Sequence, residues 1–297
     1  MRYTNPMYID THCHLFLNEE GFNFNPEEVV NNNIKAGVKQ MWLSSTNLWD
    51  INKNLELVKK YPKNLKTFVG FHPEDYLDYT SVKLESVLKK YLPIKSPAYE
   101  AASQRLTANN QSVIADYSLL STDSPIIGIG EIGVDLHWND ISTKDIQMQV
   151  FEDQIKLALK YNLPVAVHSR DAYEQTLEVL EKYKNLKFIW HSYNLDLEKT
   201  KKLLSLFSNI YFGFNAVITY KSGLYIQQSL KEMPSDKILL ETDAPFLSPR
   251  TKESLNRGYN TSKGVIDVYA TVAKIKVISV KELQKVIIKN SFKYTSI

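Results

Sequence analysis

The chain has 297 residues, 43% of them hydrophobic, a formal net charge of +3 and one cysteine, Cys13. That is material for a sizeable core, without an internal disulfide and without the strong basicity of a protein dedicated to coating duplex nucleic acid. A mildly basic balance permits an anionic substrate but does not demand one.

The opening "MRYTNPMYID" lacks the basic-then-apolar order of a secretory leader. No apolar run approaches the roughly 18 residues of a membrane span. The expected protein is soluble and cytoplasmic, with nuclear residence also open. No membrane or obligate protein partner is indicated, and oligomeric state is not legible.

Along the chain, eight short apolar runs appear: "MYID", "KQMWLSS", "LKTFVGF", "PIIGIGEIG", "LPVAVHS", "KFIWHS", "IYFGFN" and "KILLET". Continuous apolar runs suit strands buried on both faces. Helical spacing separates them: Phe151, Ile155, Ala158 and Leu159; then Tyr173, Leu177 and Leu180; then Leu203, Leu204 and Phe207. Two more helices are expected near Val265–Ile275 and Val280–Ile288. Strand and helix alternating eight times predicts an α/β fold, a single-domain (β/α)8 TIM barrel spanning residues 1–297. The stretch from Pro93 to Ser124 has no clear period. It reads as an insertion between strands three and four that supplies no metal ligand.

Chemistry in such a barrel sits at the C-terminal ends of the strands. His12 and His14 follow the first run and His72 the third. The fourth ends in Glu131, with Asp135 after it. His168 ends the fifth, His191 the sixth, and the eighth runs into Glu241 and Asp243. Five of the six histidines thus fall at expected strand ends. Any one of them reads as a hydrogen-bonded structural residue; their convergence does not. Residues i and i+2 of a strand point the same way, so His12 and His14 project together and can grip one ion, while Cys13 faces away. Asp171 reads as a helix cap.

"DTHCHL", "GFHP", "GEIGVD", "PVAVHSRD" and "ETDAPFLSP" occur in that order. Together they resemble the TatD-type metal-dependent deoxyribonucleases of the amidohydrolase superfamily, from Ile9 to about Pro249. The resemblance implies two divalent metal ions, of Mg, Mn or Zn. His12, His14 and Asp243 would hold one, His168 and His191 the other, and Glu131 would bridge them. It also implies that His72 contacts the scissile phosphate, with Arg170 touching phosphate as well. Two such ions suit phosphodiester hydrolysis, with Asp243 as general base. The chain departs from the family in "HSYNLD" after the sixth-strand histidine, in "LNRGYNTSKG" where an Arg/Asn-Glu-Pro segment is usual, and in the longer spacing from His72 to Glu131. These departures bear on substrate specificity.

The leading expectation is a deoxyribonuclease acting on DNA as an exonuclease. The runner-up is a D-aminoacyl-tRNA deacylase or other amidohydrolase-type enzyme on the same metal site, and the non-enzymatic alternative is a binding protein on a decayed barrel. Arg250, Lys252, Arg257 and Lys263 are candidate phosphate contacts. Tyr193, Trp138 and Tyr259 are candidate base-stacking residues, with ordinary packing as the competing reading.

Overall fold

The computed structural model describes residues 7–16, 24–92, 124–138, 140–250 and 259–296. Eight strands form one parallel sheet in sequence order: β1 Tyr8–Cys13, β2 Val38–Leu43, β3 Leu65–Val69, β4 Ile126–Asp135, β5 Val165–Arg170, β6 Phe188–Trp190, β7 Ile210–Phe214 and β8 Ile238–Leu240. The sheet closes past the end of β8. His14 N–H donates to the Ala244 carbonyl at 2.7 Å, Asp243 N–H to the His12 carbonyl at 3.0 Å, and Cys13 bridges Ala244. The architecture is the (β/α)8 barrel that the alternation predicts.

The outer ring contains α1 Pro26–Lys35, α2 Leu48–Lys60, α3 Ser81–Tyr91, α4 Lys144–Tyr161, α5 Tyr173–Glu181, α6 Leu197–Leu206, α7 Leu224–Glu232, α8 Val265–Lys276 and α9 Val280–Thr295. Local chemistry fixes their ends. Asn25 caps α1 by accepting the Glu27 and Glu28 N–H groups ahead of Pro26, and Ser279 and Glu282 form a reciprocal capping box at α9. The helix α9 runs past the expected Ile288, because its last turns pass beneath the barrel and bury Asn290, Ser291, Tyr294 and Thr295. Leu159 departs from its expected face and is exposed on α4.

Inside the barrel's N-terminal end, Ile9, Trp42, Phe68, Ile127, Ala166, Ile189, Tyr211 and Leu239 form one apolar cluster with Tyr294. Tyr294 stacks on Trp42 at 5.9 Å and donates its hydroxyl to the Val165 carbonyl at 2.8 Å. This aromatic floor excludes water from below and leaves the opposite end as the open one. The expected insertion lies outside the described residues except for Ser124, which is buried and accepts from the Lys66 ammonium. Among the described residues, no helix is long and apolar enough to cross a membrane.

Candidate metal centre

The fourth strand differs from its sequence reading, and the difference shapes the site. β4 does not end at Glu131; it continues to Asp135. Its pairing with β5 shifts between Ile129 and Ile132, which places Glu131 at an irregularity aimed into the barrel mouth. Gly133, at φ +156°, is required here, since a Cβ on it would collide with the His168 carbonyl.

Glu131 is the geometric centre. Its Oε2 lies 3.1 Å from His12 Nε2 and 3.6 Å from His14 Nε2. Its Oε1 lies 2.6 Å from His168 Nδ1 and 3.2 Å from His191 Nε2. One carboxylate therefore faces two separate histidine pairs with its two oxygens. Asp243 Oδ1 completes the first group, 3.5 Å from His14 Nε2 and 3.7 Å from His12 Nε2, and is 4.0 Å from His191 Nε2. Asp243 has φ +57°, a left-handed conformation that costs a non-glycine residue energy and is retained here where the carboxylate meets the histidines.

Most of these histidines have a partner behind them. His12 Nδ1 meets Ser44 Oγ at 3.0 Å, and His168 Nε2 meets Asp135 Oδ2 at 2.8 Å. His191 Nδ1 sits 3.1 Å from Glu241 Oε1, within ion-pair range but not aligned as a hydrogen bond; the same oxygen accepts the Ser192 N–H. Such partners orient an imidazole and fix which nitrogen is free for an ion. Asp10, in "DTHCHL", is no ligand: it accepts both the Thr242 N–H and hydroxyl, and so pins the Asp243 loop to β1. Gly213 in β7 leaves the room that Glu241 occupies.

Burial opposes charge on every group here; it prevails at His12, which is lowered, while mutual attraction prevails at His14, His168, His191, Glu131 and Asp243. Against burial, Asp135 and Glu131 raise His168 to about 9, and Glu131, Glu241 and Asp243 raise His191 to about 10. His191, His12 and His168 hold Glu131 well below the carboxylate range, and His191, His14 and His12 hold Asp243 at about 2. The carboxylates demand positive charge at the centre, and divalent cations would satisfy that demand while displacing protons. Imidazole nitrogens and carboxylate oxygens in this mixture fit Zn or Mn, with Mg suited to the oxygens.

His72 differs. Burial lowers it to about 3, with the His168 charge adding to the effect. Its Nδ1 accepts the Glu74 N–H at 3.3 Å, so in the neutral ring Nε2 carries the proton, 3.8 Å from Glu131 Oε1. Distance groups His72 with Glu131 and His168 as a possible ion site, alongside His12, His14 and Glu131 and the set His12, His191 and Glu241. Hydrogen-bond direction argues against His72 as a ligand, and Glu241 contacts His191 on the ring edge away from Glu131.

These groups open into a cavity of about 940 Å³, with Arg170, Trp138 and Trp49 among its lining residues. The Arg170 guanidinium stacks 5.1 Å above the exposed Trp138 ring. Other sequence expectations change. Tyr193 is buried, giving its hydroxyl to Thr200 or taking one from it, so it cannot stack on a base. Tyr259 stacks on Phe24. Asp171 caps no helix: α5 begins after Ala172 without a side-chain cap, and Asp171 pairs with His137 at 2.8 Å. Arg250 and Lys263 do not line the cavity; Lys252 and Arg257 lie outside the described residues. Cys13 faces away from the mouth, as expected, its thiol toward the Trp42 carbonyl.

Residues 9–296 match the family described as TatD related DNase. The chain belongs to the TatD family. Similar proteins include the metal-dependent hydrolase YabD of Bacillus subtilis, 28% identical over 96% of this chain and 97% of that protein. A metal-dependent hydrolase of Mycoplasma genitalium is 32% identical over 96% of this chain and 98% of its own length. The structure of the TatD homologue YjjV of Escherichia coli superposes with a TM-score of 0.75 at 22% identity, covering 98% of both chains. At that identity the likeness speaks for the fold.

Proposed function

We propose that this TatD-family protein is a metal-dependent hydrolase of phosphodiester bonds, that DNA is its substrate, and that it acts as an exonuclease through two divalent ions. The observation carrying this reading is the division of Glu131, with Oε2 toward His12 and His14 and Oε1 toward His168 and His191. A carboxylate so placed could bridge two ions without modification. His12, His14 and Asp243 would hold one, and His168 and His191 the other. When bound, such a pair lowers the pKa of water and offsets charge on a phosphoryl oxygen.

The chain's own residues supply the rest. Asp243, ionised at neutral pH and held by the His12 carbonyl, takes the proton from the attacking water. The Nε2–H of His72 donates to a nonbridging phosphate oxygen as charge builds there. Arg170 binds a neighbouring phosphate while stacked on Trp138, which offers its exposed face to a base.

A second reading, hydrolysis of a compact ester or amide including an aminoacyl-tRNA ester, is favoured by one feature. The cavity lining carries Asp50, Glu74 and Asp75 besides the metal-centre acids, and Arg170 is the Lys/Arg cation among the lining residues. Metal-loaded protein incubated with labelled DNA, charged transfer RNA and a panel of small amides separates the two. Metal-dependent, chelator-sensitive cleavage of DNA is expected. Untouched DNA beside a hydrolysed ester or amide would overturn the nuclease reading.

A further inference from the structure

The rim of the mouth is divided by charge. On the β4–β5 side stand Arg170 and Trp138, and Asp135 there is paired with His168. On the β2–β3 side stand Thr46, Asn47, Asp50, Glu74 and Asp75. Glu74 Oε2 is 3.8 Å from His72 Nδ1, so a single imidazole ring separates this acidic sector from the metal centre.

Asp50 distinguishes the sector from a solvated run of acids. It is 1% exposed and lines the cavity. Its Oδ2 accepts the Thr46 N–H at 3.0 Å, but its Oδ1 is buried without a hydrogen-bond partner. A buried polar atom without a partner is costly, and one on a residue that lines the cavity is available to a group that enters there. A hydroxyl both donates and accepts, so it satisfies Oδ1 whether or not that carboxyl is protonated. A phosphate offers only acceptors and negative charge to a sector that Glu74 and Asp75 already line with carboxyl groups of their own.

The cavity's size agrees. At about 940 Å³ it falls at the upper end of the roughly 300–1,000 Å³ typical of small-ligand sites, which suits the end of a strand better than a duplex laid across the mouth.

We propose that the sector formed by Asp50, Glu74 and Asp75 is a subsite for an uncharged, hydroxyl-bearing terminal nucleoside, and that it rejects a terminal phosphate. The enzyme would then remove the last nucleotide of a strand when that end is a free hydroxyl and stall when it is phosphorylated. This rests on the phosphodiesterase reading above and adds a requirement that reading does not contain.

The test uses metal-loaded protein and four short oligothymidylates of one length, with each end either hydroxyl or phosphate. Measured for each are kcat/KM and, on phosphorothioate versions that resist cleavage, Kd. At one of the two ends, phosphate in place of hydroxyl should lower kcat/KM by about tenfold or more, with a matching loss in Kd, as for like charges brought together at an interface. The double variant Glu74→Gln/Asp75→Asn should recover most of that difference. Equal cleavage whatever the ends, a preference for phosphate at both ends, or a discrimination unchanged in the double variant would overturn the subsite. If no oligonucleotide is cut with any pair of ends, the phosphodiesterase reading fails first and the subsite with it.

Discussion

The two ends of this barrel solve opposite problems. The floor is an apolar plug, with Trp42, Phe68 and Tyr294 packed ring against ring. The mouth buries histidines and carboxylates that would be costly apart and are tolerable only together. Backbone strain follows the same division. Among the described residues, Asp171, Ser192, Asp243 and Leu247 have left-handed φ, and all lie beyond the ends of β5, β6 and β8. The remaining non-glycine cases, Asn162 and Val277, end helices α4 and α8. Strain and desolvated charge are thus gathered at the candidate metal centre, and the other end supplies stability to hold them.

The sharpest way to break that contrast is Glu131→Ala. It should lower metal content at both positions and abolish turnover, whereas His12→Ala should empty chiefly the position shared with His14 and Asp243. Metal analysis normalised to protein checks this, and unchanged stoichiometry in Glu131→Ala would refute the bridge. Next in size is His72→Ala, expected to keep its metals and its fold while losing about 10²–10³ in kcat, as for one preorganised donor. If it loses metal as His12→Ala does, His72 is a ligand; if it keeps full activity, the ring is structural.

The floor should show the reverse behaviour. Trp42→Ala should cost about 3–5 kcal/mol of stability in denaturant unfolding. The protein that remains folded should retain its metal and most of its kcat, and a selective loss of metal would mean the two ends are coupled. The smallest effect belongs to neither end. Val277 is a β-branched residue at φ +56°, 87% exposed after α8. Val277→Gly should stabilise by about 1 kcal/mol without altering activity, read as a shift in the urea midpoint.

The barrel was legible in sequence because its strands are buried on both faces and so read as unbroken apolar runs. The starts of α8 and α9 were legible at Val265 and Val280; the end of α9 was not, because Asn290, Ser291 and Thr295 are polar residues buried by tertiary packing rather than by local pattern. The side chains around Glu131 were found through strand ends and motif order. The end of β4 was misplaced, since a shift in register leaves no trace in composition. Asp135 was visible two alternations beyond Glu131 on the same face, yet its role depends on His168 from the next strand. The roles of Ser44 and Glu241 were equally hidden, because each acts on a histidine distant in sequence. Tyr193 followed a strand as a substrate contact would, but turned inward onto Phe212 and Thr200.

The seventh strand supplies none of the groups assigned to the ions, and its contribution is space. Gly213 has no side chain, and the volume thereby left open is where the Glu241 carboxylate lies. Adding even a methyl group at 213 would evict that carboxylate from beside His191. A screen for lost function would then flag a residue with no reactive atom and no substrate contact, in a chain whose candidate ligands were all intact. The tolerance map of this enzyme should therefore extend one strand further than its chemistry does.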